Sequence, residues 1–161
     1  MTRPRDPIFA VLLFSVAALA TVFTAQYGFG LQPCELCLTQ RVPYFVAIAL
    51  TLAALGLKLE DKALRIVLGL CFLAFAVDAG IALYHVGVEQ HWWAGPQACT
   101  AGSGTVTSVE DLAAMLSKPA DVPQCDKPAW TLFGVSMAGF TLLACLVMAG
   151  FCARAARRGA R

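Results

Sequence analysis

An uncharged stretch near the start of the chain is too long and too apolar for the surface of a soluble domain. No charged residue stands between Asp6 and Glu35, and residues 8–25 are almost wholly apolar. About 20 helical residues are enough to cross the hydrocarbon core of a bilayer. Arg3 and Arg5 would also suit a signal peptide, but its apolar region is usually only about 7–15 residues, and no small-x-small cleavage site follows here. We therefore predict a retained first transmembrane helix.

Three more apolar runs follow, separated by a short charged loop and by a long polar segment. The composition points the same way, because 59% of the residues are hydrophobic and 14% are charged. Soluble proteins have roughly 45–50% apolar and about 25% charged residues. The sequence predicts an all-α fold, a four-helix transmembrane bundle that forms a single membrane domain over 1–161. We expect spans at about 8–29, 38–57, 66–87 and 130–153, and an outer loop at about 89–128.

The second span must begin before its apolar run does. Residues 42–57 number 16, and at about 1.5 Å rise per residue they reach only about 24 Å, whereas the bilayer core is about 30 Å thick. An earlier start draws Arg41 and Cys37 to the membrane boundary. Pro33 suits a helix start, because a proline in the first turn loses no needed hydrogen bond. Pro43 lies further on and should kink the helix or delay its first turn.

The positive charges predict the orientation of the bundle. With four spans, both termini share one side with the 58–65 loop, and this side carries nine of the twelve lysines and arginines. The positive-inside rule places that side in the cytoplasm. Residues 34–37 and the 89–128 loop then face a compartment in which disulfides persist. Three tryptophans fall at the same outer boundary, as an aromatic belt would: Trp92, Trp93 and Trp130.

Two polar features fall in less expected places. In the outer loop, Ser108 suits the N-cap position of a helix, and an apolar stripe that includes Leu112 and Leu116 follows it. This predicts a short amphipathic helix, which either lies flat on the membrane or packs on the end of the bundle. Asp78 falls inside the third span, where a carboxylate is costly unless it meets a partner or a polar cavity. We expect it to face the interior of the bundle.

Four of the seven cysteines fall on the outer side, as a C-x-x-C pair, Cys34 and Cys37, and as Cys99 and Cys125. A tetrathiolate zinc site usually uses two close pairs, and the second two are 26 positions apart. Haem attachment requires a histidine where Leu38 stands. Two structural disulfides remain an alternative, although a C-x-x-C bridge closes too small a loop to add much stability. The other three cysteines lie in apolar spans and are predicted to be inert buried thiols: Cys71, Cys145 and Cys152.

Redox chemistry is the interpretation that the local sequence favours. A helix N-terminus and a nearby arginine both lower the pKa of a thiol, and the 34–41 segment offers both. Arg41 follows Cys37 by four positions and therefore lies on the same helical face. The alternative for Arg41 is contact with lipid head groups.

These motifs, taken in order, resemble the DsbB family of quinone-reducing membrane proteins, which reoxidise the periplasmic thiol oxidase DsbA. The resemblance covers nearly the whole chain, although Pro43, Asp78 and Trp92-Trp93 depart from the family pattern. The residues that carry it are Pro33-Cys34-Glu35-Leu36-Cys37 with Gln40-Arg41, then Cys99 and Cys125, and Trp130-Thr131-Leu132-Phe133-Gly134.

The resemblance implies a catalytic role for all four outer cysteines. Cys34 and Cys37 would be the pair coupled to a quinone, ubiquinone or menaquinone, and Cys99 and Cys125 the pair that meets a DsbA-like, thioredoxin-like oxidase. Arg41 and His85 would lie near the quinone. The implied location is the bacterial inner membrane, with the active site facing the periplasm. We expect no resident metal and no nucleic-acid partner.

Two alternatives remain open. The first is a vitamin-K-epoxide-reductase-like thiol and quinone enzyme, in which the active C-x-x-C is expected late in the chain. The second is a non-enzymatic metal-binding or scaffolding membrane protein.

Overall fold

The computed structural model of the protein describes residues 5–96, 109 and 125–158. Helix α1 (Asp6–Phe23) continues into a π-helical turn (Thr24–Gly28) and is followed by the short α2 (Glu35–Thr39), α3 (Arg41–Gly56) and the long α4 (Asp61–Glu89). A small antiparallel hairpin of β1 (Thr131–Leu132) and β2 (Val135–Ser136) precedes the last helix, α5 (Met137–Arg158).

Four segments of the described chain are long and apolar enough to cross a membrane: Asp6–Gly28, Glu35–Gly56, Asp61–Glu89 and Met137–Arg158. The predicted all-α, four-helix transmembrane architecture is therefore confirmed. The predicted amphipathic helix after Ser108 lies outside the described residues. The single-domain organisation and the cytoplasmic placement of the termini remain predictions.

The core is formed where α4 packs against α5 and α3, and where α1 packs against α3. Phe75 of α4 is fully buried and makes edge contacts with Phe14 of α1 and Tyr44 of α3, each at a ring-centroid distance of 5.9 Å. Buried hydroxyls bond within their own helices, as Ser15 does to the Val11 carbonyl at 2.9 Å. Such internal pairing is required because a bilayer offers the backbone and side chains no water.

The second span is broken at Gln40, where α2 ends and α3 begins. Pro43 lies in the first turn of α3, where the amide hydrogens have no intrahelical partner, so its missing donor costs nothing. The interruption expected at Pro43 is therefore found three residues earlier, at Gln40, and α3 runs through Pro43. Pro33 stands just before the N-cap residue, Cys34, and not at the first helical position.

Two of the four spanning helices begin at least five residues away from the start of the predicted span. The fourth spanning helix begins at Met137, later than the predicted 130, because the hairpin intervenes and turns through positive φ at Phe133 and Gly134. The third begins at Asp61, earlier than the predicted 66, because its first turns use charged residues outside the apolar run. An aspartate in the first turn also suits the positive end of the helix dipole.

Candidate active site: a thiol pair beside an apolar cavity

The first turn of α2 brings the two thiols of the C-x-x-C segment together. Cys34 is the N-cap residue, with extended backbone (φ −76°, ψ 172°), and its Sγ accepts a hydrogen bond from the Cys37 backbone N–H at 3.4 Å. An N-cap side chain meets the third helical residue in this way because that residue has a free amide hydrogen. The two Sγ atoms lie 3.1 Å apart, and both thiols are free.

Helix α4 places an imidazole against this pair. Nε2 of His85 lies 3.6 Å from Sγ of Cys34, and Nδ1 lies 3.2 Å from Oε1 of Gln40. One turn further along α4, a Glu89 oxygen lies 3.8 Å from the same Nε2. Ser136 of the hairpin donates a hydrogen bond to the other Glu89 oxygen. The thiol pair, α4 and the hairpin are therefore linked by one chain of polar contacts.

These contacts favour the thiolate form of Cys34. The hydrogen bond between the two thiols is the main reason that the pKa of Cys34 lies well below its usual value. Burial opposes this shift, whereas His85 and the Cys37 backbone N–H add to it. From the sequence we expected this effect from the helix N-terminus and from Arg41. The structure supports the helix N-terminus, but the side chain that lies beside Cys34 is His85 and not Arg41.

Arg41 turns instead toward the end of α1. Its Nη1 donates a hydrogen bond to Oε1 of Gln26 at 2.8 Å, and its guanidinium lies 5.0 Å from the ring centroid of Phe23. Gln26 belongs to the π-helical turn that extends α1. A π-helical turn changes the angular spacing of side chains, and such turns are frequent at functional sites.

A cavity of about 410 Å³ opens beside Cys37 and Arg41. Ligand pockets in proteins commonly have about 300–1,000 Å³, so the cavity has the size of a small-molecule site. Its polar lining includes Cys37, Gln40 and Arg41. Its walls come from α1, α3, the hairpin and α5, and they are mostly apolar, including Phe14, Leu19, Val22, Tyr44, Trp130, Leu132, Met137 and Phe140.

Cys125 lies on the other flank of the thiol pair. It is disulfide-bonded, only 1% exposed, and belongs to one buried cluster with Cys34, Leu36 and Val88. Of the four predicted catalytic cysteines, the structure thus brings three together, whereas Cys99 lies outside the described residues. His85, which the resemblance placed near a quinone, contacts Cys34 and Gln40 and is not among the residues that line the cavity.

Two cavity residues, Gln40 and Tyr44, were missed by the sequence analysis. They continue the helical stripe that Cys37 and Arg41 begin, at spacings of three and seven positions from Cys37. That spacing was the available signal. Glu89 had no comparable signal, because its role depends on packing between α4 and the hairpin.

Asp78 faces the interior of the bundle, as predicted, and is fully buried. Cys145 donates a hydrogen bond to its Oδ2 at 3.0 Å, and the hydroxyl of Tyr44 lies 3.3 Å from the same sulfur. Cys71, Cys145 and Cys152 are all fully buried, as predicted. The polar partner of Cys145 was not foreseen.

Spanning helices around a buried C-x-x-C pair and an apolar cavity define a multi-pass membrane protein with a thiol site. The sequence profile of the family described as Disulfide bond formation protein DsbB matches residues 4–155, and the chain belongs to that family. Membership implies disulfide oxidoreductase activity.

Individual relatives agree with this assignment. The chain is 30% identical over 161 residues to Disulfide bond formation protein B of Methylococcus capsulatus, with 94% of each chain covered. It is 36% identical over 91 residues to the protein of that name from Herminiimonas arsenicoxydans, covering 56% of each chain. It is also 29% identical over 136 residues to an uncharacterised Rickettsia prowazekii protein, covering 83% of this chain and 76% of that one. No solved structure matches.

Proposed function

We propose that this chain is a quinone-dependent protein-disulfide oxidoreductase of the bacterial inner membrane. It takes electrons from a periplasmic DsbA-like thiol oxidase and passes them through two cysteine pairs to a membrane quinone, ubiquinone or menaquinone. The observation that carries the proposal is the apolar cavity whose lining includes Cys37 and Arg41. A thiol and a guanidinium in one apolar cavity support a site where a flat, apolar molecule accepts electrons.

The residues present fit a quinone. The cavity walls come from spanning helices and the hairpin and are mostly apolar, as an isoprenoid-substituted ring requires. The planar guanidinium of Arg41 offers several N–H donors to carbonyl oxygens, and it is already oriented by Gln26 and Phe23. A quinone bound there would accept two electrons and two protons.

The first exchange takes place at the outer pair, Cys99 and Cys125. A thiolate of the partner attacks Cys99, forms a mixed disulfide with it and releases Cys125 as a thiolate. The second thiol of the partner then closes the partner's own disulfide and releases Cys99. The partner is oxidised by two electrons in this exchange, and the outer pair is reduced by the same number.

The second exchange carries these electrons to the inner pair. The Cys125 thiolate attacks Sγ of Cys34 in the Cys34–Cys37 disulfide, so that a bond forms between them and Cys37 leaves as a thiolate. Cys99 then attacks Cys125, which restores the outer disulfide and expels Cys34. The low pKa of Cys34 favours this last step, because a thiol of lower pKa leaves faster.

Two structural features support this route. Cys125 and Cys34 share one buried cluster, so the second exchange needs no large movement. Cys37 is the member of the inner pair that lines the cavity.

An anaerobic assay with the purified protein tests the proposal. The protein is mixed with a reduced thioredoxin-like oxidase and a short-chain quinone, and thiol loss and quinone reduction are followed together. We expect the two to proceed in equal amounts, with one quinone reduced per dithiol oxidised. Thiol loss at the same rate without quinone and without oxygen would exclude the proposed electron acceptor.

A further inference from the structure

Three metal-ligand atoms converge at the inner thiol pair. The Sγ atoms of Cys34 and Cys37 and a ring nitrogen of His85 all lie within 4.8 Å of one another. Cys34 and His85 are 6% and 3% exposed, and Cys37 is half-buried. Thiolates and imidazole are the preferred ligands of Zn²⁺, and a Cys₂His set with an open fourth position is a known arrangement of catalytic zinc sites.

The imidazole is held with its free nitrogen toward the thiols. Nδ1 of His85 donates its hydrogen to Oε1 of Gln40 at 3.2 Å, so the neutral ring, which is the form that binds a metal, has its lone pair on Nε2. Nε2 is the atom that lies 3.6 Å from Sγ of Cys34. Zinc-binding histidines commonly have such an oxygen on the other ring nitrogen, because it fixes the tautomer and the ring orientation.

The distances are close to those around a tetrahedral ion. With Zn–S of about 2.3 Å and Zn–N of about 2.0 Å, a sulfur and a nitrogen ligand lie about 3.5 Å apart, and two sulfur ligands lie about 3.8 Å apart. The separation of 3.6 Å between Nε2 and Sγ of Cys34 already fits. The two sulfurs, at 3.1 Å, must separate by about 0.7 Å, which a small side-chain rotation of half-buried Cys37 provides.

We propose that the dithiol form of this site binds one Zn²⁺ through Cys34, Cys37 and His85, and that the ion holds the enzyme in its reduced state. Two thiol protons are released on binding and no electron is transferred. A Cys34–Cys37 disulfide offers no thiolate and does not bind the ion. Metal binding does not depend on the proposed function, but the inhibition of turnover does.

Cobalt is the probe for binding. The full-length protein in detergent is reduced, kept anaerobic and titrated with Co²⁺, whose bonds to thiolate give a near-ultraviolet charge-transfer band. Zn²⁺ is then added to displace it. We expect one equivalent of cobalt, displacement by one equivalent of zinc, tighter binding at higher pH, and no band when the Cys34–Cys37 pair is oxidised.

The two histidines of the chain supply a matched pair of variants. His85→Ala removes a ligand and should weaken binding by at least about 10-fold, whereas His91→Ala changes an exposed residue and should leave binding unchanged. Cys37→Ser removes one of the two thiolate ligands, so it should weaken cobalt binding by at least about 10-fold and reduce the thiolate band. Because His85 is buried, thermal unfolding of each metal-free variant shows whether the substitution has disturbed the fold. If His85→Ala has lost its fold, the Cys37→Ser variant alone tests the inference.

Two results would overturn the inference: equal cobalt binding by His85→Ala and the unchanged protein, or an equal band in the oxidised protein. Zinc should also stop turnover in the quinone assay, and a chelator should restore it. If the metal-free protein shows no turnover, that result contradicts the proposed function, and the metal-binding result remains valid. Turnover that continues unchanged at a zinc concentration that displaces all of the bound cobalt contradicts the inhibitory role.

Discussion

Arg41 at the start of α3 donates a hydrogen bond to Gln26 in the π-helical end of α1, across 2.8 Å. This bond joins the first two spans and orients an arginine that lines the same cavity as Cys37. An arginine at a membrane boundary would otherwise extend to the head groups. Here the short second span, the break at Gln40 and the extension of α1 together hold it at the site.

Arg41 is predicted to act on quinone binding and not on thiol exchange. Arg41→Lys keeps the charge but loses the planar set of donors, so the apparent KM for quinone should rise. Arg41→Ala should raise it by about 10- to 100-fold, as expected for the loss of about 1.5–3 kcal/mol of charge-assisted hydrogen bonding. Lys62→Ala, an exposed cation at the start of α4, is the control.

Single-turnover trapping separates the two steps of the Arg41 prediction. The mixed disulfide between Cys99 and the partner should form at the normal rate in Arg41→Ala, because it needs no quinone. If trapping were lost while quinone affinity stayed intact, Arg41 would not belong to the quinone site.

The four cysteines of the proposed relay are predicted to be essential for turnover, and the three cysteines inside the spans are predicted to be dispensable. Serine at any one of Cys34, Cys37, Cys99 or Cys125 should reduce turnover to background, since each contributes a sulfur to the relay. The combined Cys71→Ala, Cys145→Ser and Cys152→Ala variant should retain turnover, with serine at 145 keeping a donor for Asp78. Full activity in the Cys99→Ser variant would contradict the proposed relay.

Asp78 is predicted to have a structural role. Asn at this position still accepts the hydrogen bond from Cys145, so Asp78→Asn should fold normally and reduce quinone at a similar rate. Thermal unfolding and single-turnover quinone reduction are the measurements. Normal unfolding combined with strongly slowed reduction would show that the carboxyl takes part in proton transfer.

The reduced protein should carry a thiolate at Cys34 through neutral pH. Its lowered pKa means that the thiolate ultraviolet absorbance disappears only as the pH falls through that lowered value, well below an ordinary thiol's titration. The same group stabilises the fold above its unfolded pKa, and this contribution is lost as the pH falls through the folded pKa. Cys34→Ser should abolish the acidic titration, and His85→Ala should move it upward.

Two glycines of α4 give a packing prediction with an internal control. A Cβ at Gly87 would overlap the indole of Trp93, whereas a Cβ at Gly80 would meet nothing within 4 Å. The indole stacks on Tyr84 and donates to the Tyr84 carbonyl at 2.8 Å. Gly87→Ala should therefore cost about 1–3 kcal/mol of stability, and Gly80→Ala should be neutral or stabilising by up to about 1 kcal/mol. Equal unfolding temperatures would contradict this difference.

The sequence by itself determined the number of spans and the position of the thiol pair. Apolar runs of bilayer length can satisfy their backbone only as helices, so 8–25 and 66–88 had one available structure. The spacing of Cys34 and Cys37 is local, and the placement of Arg41 one turn beyond Cys37 is equally local. Residues that depend on neighbours along the helix were therefore predictable.

Tertiary structure decided which groups meet these residues. His85 reaches Cys34 across 51 positions of sequence and Cys145 reaches Asp78 across 67, and no local pattern contains such distances. The hairpin before α5 was read as part of a span because its residues are apolar, yet positive φ at Phe133 and Gly134 turns the chain back. Periodicity fixes the face that a side chain occupies on its own helix, whereas helix packing alone fixes what lies opposite.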